Sequence, residues 1–355
     1  MQGRSWKQIP AKSDGITLPL FCFNDELECG DALGGHTGIQ KMHATYFSLP
    51  CLKPDVRSAL QNIFVSLLVK SADRKIFSNK KLFQSLTQEL NVLSKRGITI
   101  TPVSGEKRKV YFQLAALLGD NLGLNCVGDF VQNFSSSNYC CRICYASREQ
   151  RKTMTVEVKN LLRTVKTYEN DVAEGSIKRT GIAERCVFNN VANFHIYQQC
   201  SVDVMHDLFE GVVKTDLLFI LRYYISEARL LTLCDLNSRI QNFQYGSADF
   251  SNKPPQFGKN FVQRKSLKIS SSECVCLLKY LGLIIGDLIP RNDEVWDLYI
   301  VLRQIVDIVS SPSVTQNTAQ LLSVYIEEHH TLYMSLTNRP LTFKYHILLH
   351  YPRLI

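Results

Sequence analysis

The sequence predicts an α/β first half built around a mixed sheet, followed by an all-helical second half. Three observations carry this. Short apolar segments rich in β-formers recur over residues 15–119, with one amphipathic helix among them. Apolar positions run at helical spacing from 201 to 232. Further segments with helical spacing follow after residue 272.

"GITLPLFCFNDELE" reads as an apolar strand that ends in acidic residues, and "KMHATYFSL" as a second strand. "NIFVSLLVKS" is nearly continuous in apolar residues, so it is expected as a strand buried on both faces. Leu82, Phe83, Leu86, Leu90 and Leu93 mark a helix over 78–96, opened by a Ser78 cap and closed before Gly97. "KVYFQLAALLGD" is a fourth strand, "NLGLNCVGDFVQNF" a short helix, and "NYCCRICYA" a strand or knuckle. Residues 147–185 are polar and mixed, an exposed helix and loop. Residues 245–272 are rich in Gly, Pro, Ser and Lys and read as a long loop. "ECVCLLKYLGLIIGDLI", "DEVWDLYIVLRQIVDIVSS", "QNTAQLLSVYIEEHHTLYMSL" and "FKYHILLHYPRL" read as successive helices.

The 355 residues can bury a sizeable core, with 45% hydrophobic and 21% charged residues. No apolar run reaches the roughly 18 residues of a membrane span; "LLKYLGLIIGDLI" breaks at Lys279 and Asp287. The N-terminal segment has no apolar signal-peptide core. Twelve cysteines without such a signal point to a reducing compartment, where Cys-x-x-Cys is a metal or redox site rather than a disulfide. The net charge of +9 suits a polyanionic partner, and the basic stretches are 147–180 and 253–268. Their plainer reading is solvated surface.

Asp25 and Asp120 each end an apolar strand, where two carboxylates can face one site and hold Mg²⁺ or Mn²⁺. An Asp after a strand is also a common helix cap or turn former. Cys141 and Cys144 can point two thiolates at one Zn²⁺ but need two more ligands; a pair of buried cysteines is the alternative. His346 and His350, four apart on a helix, share a face and are candidates for that missing pair. In "VDVMHDLFEGVV", His206, Asp207 and Glu210 open a helix that Asp203 can cap. A His206–Glu210 hydrogen bond is the local reading there, and Glu210 as a third metal carboxylate is the sharper one. There is no P-loop, dinucleotide fingerprint or Gly-x-Ser-x-Gly, so nucleotide-hydrolase and serine-hydrolase readings have no support.

Several segments together, "DALGGHTGIQKMHATYFSLPCL", "LLGDNLGLNCVGDFVQNFSSSNYCCRICYAS", "TGIAERCVFNNVANFHIYQQCSVDVMHDLFEGVV" and "KYHILLHYPRLI", resemble the transposases of CACTA (En/Spm-like) DNA transposons of animal genomes. The resemblance runs in order across nearly the whole chain. It implies an RNase H-like mixed sheet with a DDE triad, using two divalent ions, Mg²⁺ or Mn²⁺, to cut and rejoin DNA. Asp25 then corresponds to the first acid, with Glu26 as its alternative, and Asp120 to the second. The implied organisation is a core over 1–146, a large all-helical insertion domain over 147–340, and a His-x₃-His helix over 341–355 leading back to the core. By analogy with the related antigen-receptor recombinase, Cys141, Cys144, His346 and His350 become one structural Zn²⁺ site that pins the insertion to the sheet. Cys141 lies 21 residues after Asp120 (141 − 120), as that analogy asks. The implied partners are transposon-end DNA and a second copy of the chain, with no membrane, and the implied location is the nucleus.

Two departures stand out. Asp31-Ala32 precedes Leu-Gly where the family usually has Asn-Pro. The family's third acid, a glutamate shortly after His-Tyr-Pro, does not occur before Ile355, and the expectation is that no DNA-binding module precedes residue 1. The expectation is a C-terminally truncated, transposase-derived fragment that binds catalytic metal poorly and does not cut DNA by itself. The competing expectations are a non-enzymatic DNA- or protein-binding transposon remnant, and an incomplete gene model.

Overall fold

In the computed structural model, the described residues are 9, 12–29, 41–74, 76–103, 105–264 and 266–354. The N-terminal segment that lacks an apolar signal core, and the Asp31-Ala32 pair, lie largely or wholly outside them. The chain divides into two compact units: Met1–Arg148 with Asn160–Val202, and Glu149–Lys159 with Asp203–Ile355. From sequence, the boundary was expected after 146; here 160–202 belongs with the sheet. The chain is mixed α/β, as its segment pattern predicts.

The first unit holds a five-stranded mixed sheet in the order β3-β2-β1-β5-β4. The strands are β1 (Ile16–Glu28), β2 (Lys41–Ser48), β3 (Ile63–Lys70), β4 (Ile98–Ile100) and β5 (Arg108–Leu118). β1 pairs antiparallel with β2 and parallel with β5, whose last partners are Phe23 and Leu118. The parallel pair needs a long crossover, supplied by α1 (Asn79–Lys95). Asn79, Phe83, Thr87, Leu90 and Ser94 form the buried face of α1, a run of three- and four-residue steps that lines one side of a helix. Ser78 stands at the cap position as expected, but its side chain makes no capping bond. Leu20, Cys22, Phe47, Phe83, Leu90, Leu114 and Leu117 join Tyr168, Phe188 and Ile196 in one core cluster.

The third strand departs from expectation. β3 is an edge strand, and Phe64, Val65 and Leu68 are 50%, 63% and 54% exposed. Its continuous apolar run reflects β-propensity rather than burial on two faces. "NYCCRICYA" forms a knuckle, tied by a single bridge from Cys144 to Leu162. β4, only three residues long, and a parallel bridge from Leu117 to Cys200 were not evident from periodicity. The 147–180 stretch is not simply solvated: Arg151 and Arg163 are buried. It carries α3 (Val165–Glu174), which begins with a Thr164 capping box and ends at Gly175 in the left-handed region.

The second unit is helical. Around α4 (Val213–Arg222) the chain widens into π-helical stretches, Met205–Val212 before it and Tyr223–Glu227 after it. Then come α5 (Leu233–Asn242), α6 (Ser271–Ile285), α7 (Glu294–Val309), α8 (Gln316–Thr337) and α9 (Phe343–Leu348). The loop over 245–272 is present, broken by 3₁₀ turns at Phe250–Asn252 and Phe261–Gln263. Side chains that open these helices act as caps: Thr232, Ser270, Asp293 and Thr315 each accept a first-turn N–H. The last apolar segment is not one helix. α9 ends at Leu348, and a separate turn, Tyr351–Leu354, follows.

Candidate metal centre

The cysteine half is built by its own backbone. Ile143 N–H donates to Cys141 Sγ and Ala146 N–H to Cys144 Sγ, both at 3.4 Å. Amide donors aimed at sulfur favour the thiolate a metal needs. The turn is pinned by Tyr145 N–H to Leu161 O (2.7 Å) and Arg163 N–H to Ile143 O (3.0 Å). Arg163 is 0% exposed. Its guanidinium donates to Cys141 O (3.2 Å), Thr180 O (2.7 Å) and Asp171 Oδ2 (2.8 Å), and lies over the Tyr145 ring at 4.1 Å. A buried guanidinium is tolerable only when its donors are spent in this way. The neighbouring thiol Cys141 and burial together raise the Cys144 thiol well above its usual range. A cation between the two sulfurs reverses that direction, because it stabilises thiolate.

The histidine half is braced independently. His346 and His350 are both buried. Glu157 Oε1 is 2.6 Å from His350 Nδ1, which leaves Nε2 for an ion. Burial works to raise the Glu157 pKa, but the hydrogen bond from His350 and the charges of His350 and Arg353 outweigh it and lower the value. Tyr345, next to His346, is anchored by a buried network: its hydroxyl donates to Asp216 Oδ1 (2.5 Å), and Asp216 Oδ2 meets His329 Nε2 at 2.7 Å. His330 Nε2 reaches Tyr345 O at 2.8 Å. Burial first, then the neighbouring His329, push the His330 pKa down to about 3, so Nε2 carries the proton it donates to that carbonyl.

The one group of three or more His, Cys, Asp or Glu side chains able to share an ion among the described residues is Cys141, Cys144, His346 and His350. Their ligand atoms lie within 4.8 Å of one another, and all four residues are buried. Tetrahedral Zn²⁺, with bonds of about 2.3 Å to S and about 2.0 Å to N, sets ligand separations near 3.3–3.8 Å. The set therefore needs to close by about 1.5 Å at most. The donor chemistry, two sulfurs and two imidazoles with no carboxylate in the group, suits Zn²⁺ and not Mg²⁺. Four protein ligands leave no open position, so the centre is structural in type.

Asp25 does not end its strand as expected: β1 runs on to Glu28 and pairs Asp25 with Ala44 of β2, whereas Asp120 lies just past the end of β5. Each lies two residues past the paired Phe23 and Leu118 of the parallel β1/β5 ladder. Asp25 is exposed. Asp120 caps α2 (Asn121–Val127), its Oδ1 accepting from Gly123 N–H at 2.6 Å. Gly119 is required where it stands: a Cβ there would lie 2.6 Å from Asn24 O. Thus the cap is also the reason for Asp120's position, and the described residues bring no third ligand to this pair.

His206, Asp207 and Glu210 each have local partners. Asp203 accepts from the N–H groups of Met205 (2.9 Å) and His206 (3.1 Å), so it is the helix-opening residue expected. His206 Nδ1 meets Asp203 Oδ2 at 2.5 Å rather than Glu210. The Tyr351 hydroxyl donates to Asp207 Oδ2 (3.1 Å), and the Ser271 hydroxyl to Glu210 Oε1 (2.6 Å). Asp207 thereby positions the turn after His350, and no metal group among the described residues includes the three. Sequence reasoning missed Glu157, Arg163 and the Asp216–His329 pair. Only the doubled histidine at 329–330, buried on α8, offered a signal.

Scans against models of known protein families and against curated proteins return no match to this chain.

Proposed function

We propose that the chain is the sheet and helical insertion of an RNase H-like, DDE-type transposase of the CACTA kind, stabilised by one structural Zn²⁺. The observation that carries the reading is the Cys141–Cys144–His346–His350 cluster. The family resemblance asks for that ligand set from residues some 200 positions apart, and chance rarely gathers two sulfurs and two imidazoles in a buried group. The strand order supports it: three antiparallel strands, a helical crossover, and a strand returning parallel to the first. So does the placement of Asp25 and Asp120, each two residues past the last pair of the parallel β1/β5 ladder. In this reading DNA is the substrate, the two aspartates contribute to Mg²⁺ or Mn²⁺ binding, and the protein works in the nucleus as an oligomer on transposon ends.

A second reading, a DNA-binding transposon remnant without nuclease chemistry, is favoured by one observation. The Asp120 carboxylate is engaged as a helix cap, and no third ligand joins the pair among the described residues. One experiment separates the two. The purified protein is mixed with labelled duplex DNA and Mn²⁺, and both mobility shift and strand cleavage are read. Cleavage lost in Asp120→Asn supports the nuclease reading; Asn keeps the cap and removes only the charge. A salt-sensitive shift without cleavage supports the remnant. Neither a shift nor cleavage, with one zinc still bound per chain, sinks the DNA-directed function and leaves the metal centre standing.

A further inference from the structure

The helical unit contains a second chemically distinctive place, remote in character from the metal ligands. A cavity of about 590 Å³ is lined by Thr215, Phe219, Arg222, Arg264, Tyr333 and Arg339 among others. That volume is in the range of small-molecule sites, about 300–1,000 Å³. Three arginines line it from three separate segments. Arg222 closes α4, Arg264 follows the 3₁₀ turn Phe261–Gln263, and Arg339 follows Asn338, the left-handed cap of α8.

No carboxylate lines the cavity. None of the three arginines has an ion-pair partner among the described residues, whereas Arg163, Arg185, Arg239 and Arg303 each do. Arg222 spends one nitrogen on the carbonyl of Arg264, at 2.7 Å. Its Nε is buried and has no hydrogen-bond partner. A buried N–H of a charged group left unmatched is costly, so such groups ordinarily have a counterpart. The partial negative charge at the end of α8 opposes an anion here, but it is worth only about half a charge against three full ones. Phe219, half-buried on the cavity wall, adds an aromatic face.

We propose that this cavity is a phosphate site, which takes the phosphoryl group of a nucleotide unit on Arg222, Arg264 and Arg339 and offers Phe219 to its base. Guanidinium forks match phosphate oxygens in pairs, which lysine does not do. The unit is either a free nucleotide or one residue of a nucleic-acid strand; the chemistry on the protein side is the same. The inference stands on the helical unit alone and holds whether or not the chain cuts DNA.

The test uses the full chain and two probes: ADP by titration calorimetry, and a fluorescein-labelled oligothymidylate by anisotropy. Arg264 and Arg339 are exposed, so Arg264→Gln/Arg339→Gln leaves folding intact, which circular dichroism checks. Arg57→Gln, an exposed site in the first unit, controls for net charge. The double variant is expected to weaken binding of the accepted probe by about tenfold or more, and to reduce the salt slope for the single strand by roughly 0.7 per arginine. Arg57→Gln is expected to change affinity less than twofold. ADP that binds and displaces the oligonucleotide identifies a free nucleotide as the source. An oligonucleotide that binds without competition from ADP identifies a strand. Binding of both probes that is equal in wild type and double variant, or no binding of either, overturns the proposal.

Discussion

Removing one carboxylate outside the metal ligands tests the centre most sharply. Glu157 touches no ion, but it holds His350 Nδ1 at 2.6 Å and receives Arg353 Nε at 3.2 Å. Its negative charge fixes the imidazole tautomer and makes Nε2 a better donor. Groups in this position are worth about 10–100-fold in metal affinity, or about 1.4–2.7 kcal/mol. Glu157→Gln keeps an oxygen for the imidazole N–H and loses the charge, so it belongs at the lower end. Glu157→Ala loses both and belongs at the upper end. Arg353→Ala removes only a partly exposed ion pair and is expected to change affinity less than threefold. Zinc affinity is read by competition with a chromophoric chelator. Zinc affinity in Glu157→Ala equal to wild type refutes the assignment of His350 Nε2 as a ligand atom.

Other outcomes follow from the same geometry. Cys141→Ser and His350→Ala each reduce bound zinc from about one per chain to none, measured by elemental analysis. Gly181 adopts φ +78° and a Cβ there would lie 1.9 Å from Tyr139 O, so Gly181→Ala costs more than about 3 kcal/mol in chemical denaturation. Burial, then the Arg74 guanidinium, push the His43 pKa down to about 3 from an unfolded value near 6.5. The unfolded chain therefore binds the extra proton first, and stability is lost as pH falls from about 6.5 toward 3, by at most about 5 kcal/mol. His43→Asn flattens that part of the stability–pH curve; a variant that tracks wild type contradicts it. Asp120→Ala loses about 0.5–2 kcal/mol through the α2 cap, and Asp120→Asn only a few tenths.

What the sequence shows and hides divides along physical lines. The α1 helix was legible because Phe83 and Leu90 sit at helical spacing, although the buried Thr87 and Ser94 between them look like surface residues. β3 was misjudged because Val, Leu and Phe favour extended backbone at an edge as well as inside. The Cys-x-x-Cys and His-x₃-His spacings announced ligands, but local spacing carries no information on which distant pairs meet. Glu157 sits in a polar stretch with no periodicity, so nothing marked it out. Asp120 was legible twice, as a strand-end acid and as a cap, and only the 2.6 Å bond to Gly123 N–H makes the cap a fact.

The metal ligands Cys141, Cys144, His346 and His350 are 0%, 1%, 0% and 1% exposed. A chelator cannot approach an ion so enclosed until the surrounding structure opens. Release of an ion held there would be gated by that opening, and its rate would level off as chelator concentration rises. Affinity and lifetime become separate properties: a substitution that loosens the enclosing helices shortens the ion's residence without touching a ligand.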